Sequence, residues 1–183
     1  MQRLINSIVV GVVGIFVVAA GFALVQQMVK QFTLQSLAAN DISVEQALLV
    51  AQGAINECKK DNSAISVAVV DHEGGVRFVV RGDGASAQDV DDARKKAYTA
   101  RTFRSATSVW MAHTDIDAVE NGKRVDLFGQ RFLENTIAKK GGMPIIWHGD
   151  AIGGVGVTGS KGGEEKDEAC AKAGVDAIAD QLL

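Results

Sequence analysis

Residues 144–158 read PIIWHGDAIGGVGVT, and this stretch decides the fold. A β-rich run from Pro144 to His148 precedes Gly149-Asp150, which predicts a tight turn, and a second β-rich run extends from Ala151 to Thr158. The stretch therefore predicts an antiparallel hairpin. Glycines alternate with valines in its second strand, and glycines at alternate strand positions mark the close approach of another backbone or of a ligand.

A second hairpin is predicted upstream, where apolar runs at Ile65–Val70 and Val76–Val80 flank the turn residues 71–75. Helical periodicity indicates four helices, which are Val44–Cys58 behind a Ser43/Gln46 capping box, Ala87–Arg104, Leu127–Ala138 and Glu164–Leu182. Residues 107–126 show poor periodicity. The order α-β-β-α-α-β-β-α predicts an α+β fold in which an antiparallel sheet is flanked by helices. The apolar residues of the helix Ala87–Arg104 are small, so we expect close packing there and self-association through this helix or the sheet.

The amino-terminal part of the chain predicts a hydrophobic helix ahead of the domain. No charged side chain lies between Leu4 and Val29, and the apolar run Ile8–Val25 would rise about 27 Å as a helix, close to the thickness of a bilayer core. Residues 1–29 are thus either a signal anchor or a cleaved signal peptide, residues 30–41 a connector and residues 42–183 the domain. Arg3 precedes the run, so we expect a periplasmic or other extracytoplasmic domain, tethered to the cytoplasmic membrane through residues 4–29.

Charge and cysteine usage narrow the class of protein. The net charge of −3 predicts no nucleic-acid partner, because a polyanion requires a basic face. Cys58 and Cys170 match no metal-binding spacing. An oxidising compartment would permit a disulfide between them, whereas two separate buried thiols are the alternative.

Residues 154–159 match G-x-G-x-x-G, but these glycines lie inside a predicted strand rather than after one, so we expect no dinucleotide site. No nucleophile in a catalytic context is recognisable, and the sequence predicts a protein that is not an enzyme.

Two histidines are candidate ligands for a haem iron. His113 is the first choice because Trp110 and Met111 could shield a porphyrin face, and His72 is the second because the glycines beside it allow close approach.

Several short segments occur in an order that resembles the GlcG/HbpS-like haem-binding family. They are VAVVD at 67–71, RGDGA at 81–85, KAYTA at 96–100, GGMPI at 141–145, IGGVGVTG at 152–159 and DEACAKAG at 167–174. The resemblance implies a compact α+β domain that forms dimers and larger rings, and it implies haem as a ligand, since several members of the family bind it. Carried onto the matching helix, it gives Lys96 and Thr99, with Arg101 and Arg104 nearby, as polar partners for propionates.

The leading hypothesis is therefore an exported, membrane-tethered, oligomeric protein that binds haem or a related tetrapyrrole, with His113 as the iron ligand. The alternative is a non-catalytic accessory or scaffold subunit of a membrane complex.

Overall fold

The computed structural model describes residues 41–115, 117, 119–120, 123–124 and 128–182. They form an α+β domain around a four-stranded antiparallel sheet with the strand order β2-β1-β6-β5. Its strands are β1 (Ser66–Asp71), β2 (Val76–Arg81), β5 (Gly142–Trp147) and β6 (Asp150–Thr158). A separate ribbon pairs β3 (Val119–Glu120) with β4 (Lys123–Arg124). The helices are α1 (Val44–Lys59), α2 (Ala87–Phe103), α3 (Thr107–His113) and α4 (Gly163–Asp176). Both predicted hairpins and the sheet flanked by helices are confirmed.

One face of the sheet is covered by α2, whose backbone lies directly against β6. A Cβ atom added at Gly156 would overlap the carbonyl oxygen of Ala93, and one added at Gly154 would overlap that of Ala97. The alternating glycines therefore mark the approach of a backbone, as the sequence predicted. Ala93, Ala97 and Ala100 are fully buried within the single chain. The expectation that this alanine face is available for self-association is wrong, because the chain's own sheet covers it.

The other face of the sheet packs against α1 and α4. Valines of β1 and β6 point into this layer and form the main apolar core with alanines of α1 and with Ile145. The two helices approach closely, since a Cβ atom at Gly53 would lie 2.9 Å from the carbonyl oxygen of Ala173. A disulfide joins Cys58 of α1 to Cys170 of α4, and both residues are fully buried. Of the two alternatives predicted for the cysteines, the structure has the disulfide and not two separate thiols.

Two helix predictions require correction. Residues 128–138 contain no α-helix, only a 3-10 turn at Phe128–Phe132, because the following segment is bound to α2 through a hydrogen bond from the Ile137 amide to Thr99 Oγ1. The additional helix lies instead at α3, where periodicity is poor. The last helix ends at Asp176, and a turn after it carries Ile178 into the core.

Residues 1–40, which include the predicted hydrophobic helix and all but the last residue of the predicted connector 30–41, lie outside the described residues. Within the described part of the chain, no helix has both the length and the apolar character needed to cross a bilayer.

We predict that Gly156→Ala lowers the free energy of unfolding by about 3 kcal/mol or more, because the new methyl group must displace the backbone of α2. Gly129→Ala is the matched control, since no described residue lies within 4 Å of a Cβ atom at that position. The control should change stability by no more than about 1 kcal/mol. Urea unfolding of the two variants measures both effects, and equal midpoints would contradict the close packing.

Reduction of the disulfide should lower the free energy of unfolding by about 4 kcal/mol, because the bond closes a long loop with a sequence separation of 112. Urea unfolding with and without a thiol reductant gives this difference. The double variant Cys58→Ser/Cys170→Ser is the control, and its unfolding midpoint should not respond to reductant. A wild-type midpoint that is also insensitive to reductant would refute the prediction.

Candidate ligand-binding site

Lys96, one of the residues predicted to contact a ligand, is buried in the middle of the fold. Its side chain is 1% exposed, and its Nζ atom donates hydrogen bonds to the carbonyl oxygen of Val157 at 2.8 Å and to Asp167 Oδ2 at 2.9 Å. Asp167 Oδ1 in turn accepts a hydrogen bond from the Ser160 amide. Lys96 therefore links α2, β6 and α4 in this structure, and its ammonium group is directed at protein atoms.

Thr99 is also fully buried. Its hydroxyl group donates to the carbonyl oxygen of Lys95 and accepts the hydrogen bond from the Ile137 amide at 3.0 Å. A second contact holds the same segment to α2, because Lys139 Nζ lies 2.6 Å from Asp92 Oδ2. Burial opposes ionisation of Asp92, but the hydrogen bonds from Lys139 and Gln88 outweigh it and hold the pKa of Asp92 below its usual value. This part of α2 thus organises the protein interior.

Arg101 differs from the other two predicted residues of α2. Its Cβ atom lies above Gly154, where a glycine leaves room for it, and its side chain is half-buried. The Nε atom is buried without a hydrogen-bond partner, and the guanidinium group makes no ion pair with a described residue. By contrast, Arg77, Arg94, Arg104 and Arg131 each bond to a carboxylate or to a backbone oxygen. Arg101 is thus a half-buried cation that can accept an anion.

His72 lies in the turn between β1 and β2, which is held by hydrogen bonds from the amides of Glu73 and Gly75 to Asp71 Oδ1. Its side chain is 45% exposed. The Nδ1 atom is buried, lies 3.5 Å from Asp41 Oδ1 and makes no hydrogen bond, while Nε2 lies 3.9 Å from Glu73 Oε1. The carboxylate of Asp41 is therefore placed beside one ring nitrogen, on the side opposite to Nε2.

His113 is half-buried in the last turn of α3. Trp110, which was expected to shield a porphyrin face, is 4% exposed and stacks on Phe103 of α2 with ring centroids 4.9 Å apart. Its Nε1 atom donates to Gln130. The Trp110 ring is therefore part of the packing between α3 and α2.

The structure brings His72 and Arg101 to the same end of the sheet. The link is Tyr98, which sequence reasoning missed: its ring lies 2.6 Å from the position of a Cβ atom on Gly74, in the same turn as His72, and Tyr98 is one helical turn before Arg101. The helix that carries His113 begins elsewhere, beside β5, where Thr107 Oγ1 accepts a hydrogen bond from the Gly142 amide. The two candidate histidines therefore belong to different parts of the domain.

Glu168 was also missed. Its carboxylate accepts hydrogen bonds from the amide and the hydroxyl group of Ser108, at 3.1 and 2.5 Å, and so satisfies a donor in the first turn of α3. Nothing local to Ser108 signals this partner, which lies on α4.

Among the described residues, no group of three His, Cys, Asp or Glu side chains is placed to hold a metal ion.

Residues 42–176 match the family model described as haem degrading protein HbpS-like. The chain belongs to this family. The family resemblance seen in the sequence is thereby confirmed. A protein of Citrobacter freundii, described as an uncharacterised 15.0 kDa protein in the dhaT-dhaS intergenic region, is 31% identical over 141 residues. That alignment covers 76% of this chain and 93% of the relative.

Solved structures of related proteins have the same HbpS-like fold. The crystal structure of HbpS is 29% identical and superposes with a TM-score of 0.68, covering 76% of this chain and 91% of that one. The Klebsiella pneumoniae protein ORFY is 27% identical, with a TM-score of 0.63 and coverages of 75% and 90%. A PduOC–haem complex, at 23% identity and a TM-score of 0.63, shares the fold over 76% of this chain and 96% of its own.

We predict that Lys96→Met destabilises the HbpS-like domain by about 3–5 kcal/mol, because it leaves the carboxylate of Asp167 buried without its cation. The double variant Lys96→Met/Asp167→Asn should recover much of this loss, since asparagine is neutral and still accepts the hydrogen bond from the Ser160 amide. Chemical denaturation of the single and double variants provides the comparison. If the loss in the double variant equals the sum of the losses in Lys96→Met and Asp167→Asn, the two side chains do not stabilise each other.

Proposed function

We propose that this chain is an exported, membrane-tethered protein that binds haem or a related tetrapyrrole. The observation that carries the proposal is the half-buried guanidinium group of Arg101, which makes no ion pair with a described residue and lies at the same end of the sheet as the exposed imidazole of His72. A haem presents carboxylates at one edge and an iron that accepts an imidazole nitrogen. Membership of the HbpS-like family and the haem complex of PduOC, which shares the fold, support this class of ligand.

The local chemistry of His72 fits an axial ligand. Iron-binding histidines donate their second ring N–H to a carboxylate or carbonyl group, which fixes the ring and its tautomer. The buried Nδ1 atom of His72 has no hydrogen-bond partner among the described residues and lies beside Asp41, so Nε2, which is 3.9 Å from Glu73 Oε1, is the nitrogen left for the iron. Because a carboxylate oxygen lies 3.5 Å from the buried Nδ1 atom of His72, we rank this residue above His113, which was the first choice from sequence.

The propionate partners are narrowed in the same way. Lys96 and Thr99 have their polar atoms bonded within the fold, whereas no described residue forms an ion pair with Arg101. A guanidinium group forms two parallel hydrogen bonds with a carboxylate, which gives both affinity and orientation. Arg101 is therefore the residue of α2 that we assign to the ligand's carboxylates.

Export and membrane attachment are supported by two features. The uncharged segment Leu4–Val29 follows a single basic side chain, Arg3. The disulfide between Cys58 and Cys170 is of the kind that persists in extracytoplasmic compartments. We also propose that the domain self-associates, and Val44 and Leu48, 56% and 50% exposed on α1, are candidates for that contact.

Titration of hemin into the full-length protein tests the proposed function. We expect saturable binding with a shifted Soret band, an altered spectrum in His72→Ala, and a wild-type spectrum in the control His148→Ala, whose imidazole is also exposed. His113→Ala is measured in parallel, because a change confined to that variant would reassign the iron ligand. Absence of saturable binding by the wild-type protein would reject haem binding and favour the accessory or scaffold subunit.

A further inference from the structure

The face of β2 on the side of α2 carries two exposed valines. Val79 is directly opposite Ala68, which is in turn opposite Gly156, the glycine beneath α2. Directly paired residues point to the same face of a sheet, so Val79 lies on the side of α2. Val76 lies on this side for the same reason, through Val70. Val76 is 49% exposed and Val79 is 45% exposed, because α2 lies over β6 and leaves the edge strand uncovered.

Arg101 lies above a glycine of β6 that is aligned across the sheet with Val76 of β2. Gly154, beneath the Cβ atom of Arg101, pairs with Val70, and Val70 pairs with Val76. Neighbouring strands are about 4.8 Å apart, so the apolar surface at Val76 begins about 10 Å from the backbone position beneath Arg101. A ligand that spans this distance contacts both.

Charge and shape restrict what can lie there. Besides Arg101, the exposed Arg81 lies on the same face, opposite Ser66, and makes no ion pair with a described residue. Tyr98 borders the surface at the turn between β1 and β2. The surface therefore combines two exposed valines with two arginines that make no ion pair among the described residues, which complements a flat apolar ring that carries carboxylates.

The edge of β2 is less suited to pairing with another strand. The ladder between β1 and β2 shifts register between Val69 and Val70, where Arg77 has no opposite residue. Such a bulge, together with arginines on the edge, discourages the addition of a strand. The occupant is thus expected to lie on the face of β2.

We infer that the uncovered face of β2, at Val76 and Val79, together with Arg101, binds the ring and carboxylates of a porphyrin without requiring iron. This inference rests on the proposed tetrapyrrole function and assigns where the ring lies. The valines contact the ring and Arg101 pairs with its carboxylates. Because neither contact involves the metal, a metal-free porphyrin binds to the same surface.

The probe is metal-free protoporphyrin IX, titrated by fluorescence against the full-length chain in nanodiscs, with empty nanodiscs as the blank. Its dimethyl ester keeps the ring but has no carboxylates, and it should bind about tenfold more weakly. Arg101→Gln should weaken binding of the free acid about tenfold and leave binding of the ester unchanged. Arg94→Gln is the control on α2, since Arg94 is bonded to Asp91 and Asn135.

Val79→Asp tests the apolar floor and should also weaken binding about tenfold. Its control is Val109→Asp on α3, a valine of similar exposure at 48%. Arg101→Lys should retain most of the affinity of the wild type. Thermal melts of all five variants, compared with the wild type, establish that each is folded.

The possible failures are distinguishable. Binding of hemin without binding of the metal-free porphyrin would overturn this inference and leave the proposed function standing. Binding of neither would overturn both. Wild-type affinity in both Arg101→Gln and Val79→Asp would overturn the location.

Discussion

The contact of the α2 backbone with β6 is the constraint on which the rest of this domain depends. At Gly154 and Gly156 the strand carries no side chain, so the helix lies nearer to the sheet than any larger residue would allow. This depth brings the Lys96 ammonium group within hydrogen-bond distance of the Val157 carbonyl oxygen and the Asp167 carboxylate. It also fixes Arg101 above the sheet. The buried Lys96, which is paired with Asp167, and Arg101, which has no ion pair with a described residue, thus lie less than two turns apart on α2.

The sequence indicated this constraint because its signal is local. Glycines that alternate with valines in a strand indicate a close approach wherever the partner lies, and the predicted cap at Ser43 is made by Gln46, three residues away. The missed helix α3 is the opposite case. Its first turn is satisfied by Glu168, which is distant in sequence, so no periodicity could reveal it. The segment predicted as a helix at residues 127–138 failed for a related reason, since Thr99 fixes the Ile137 amide.

The candidate site shows the same division between local and distant information. Lys96, Thr99 and Arg101 share a helix, and their residue types alone do not reveal which of them has a partner elsewhere in the fold. Asp167 and Ile137 supply those partners for the first two, and Arg101 is left. Tyr98 was missed because its ring packs against the glycine turn at Gly74, and no polar motif in the sequence indicates such a contact. The tertiary structure therefore shows intramolecular partners for two of these three side chains, and it places Tyr98 against the turn that carries His72.

The disulfide has a topological consequence for the covalent structure of the chain. Since it joins Cys58 to Cys170, the sheet, α2 and α3 all lie inside one closed ring of the polypeptide. A protease that cuts once between these residues opens the ring, but the two pieces remain attached through sulfur. The mass of such a nicked molecule differs from that of the uncut one only by the water added at the cleaved peptide bond. The two pieces of the nicked backbone therefore separate from each other only after the sulfur bridge is reduced.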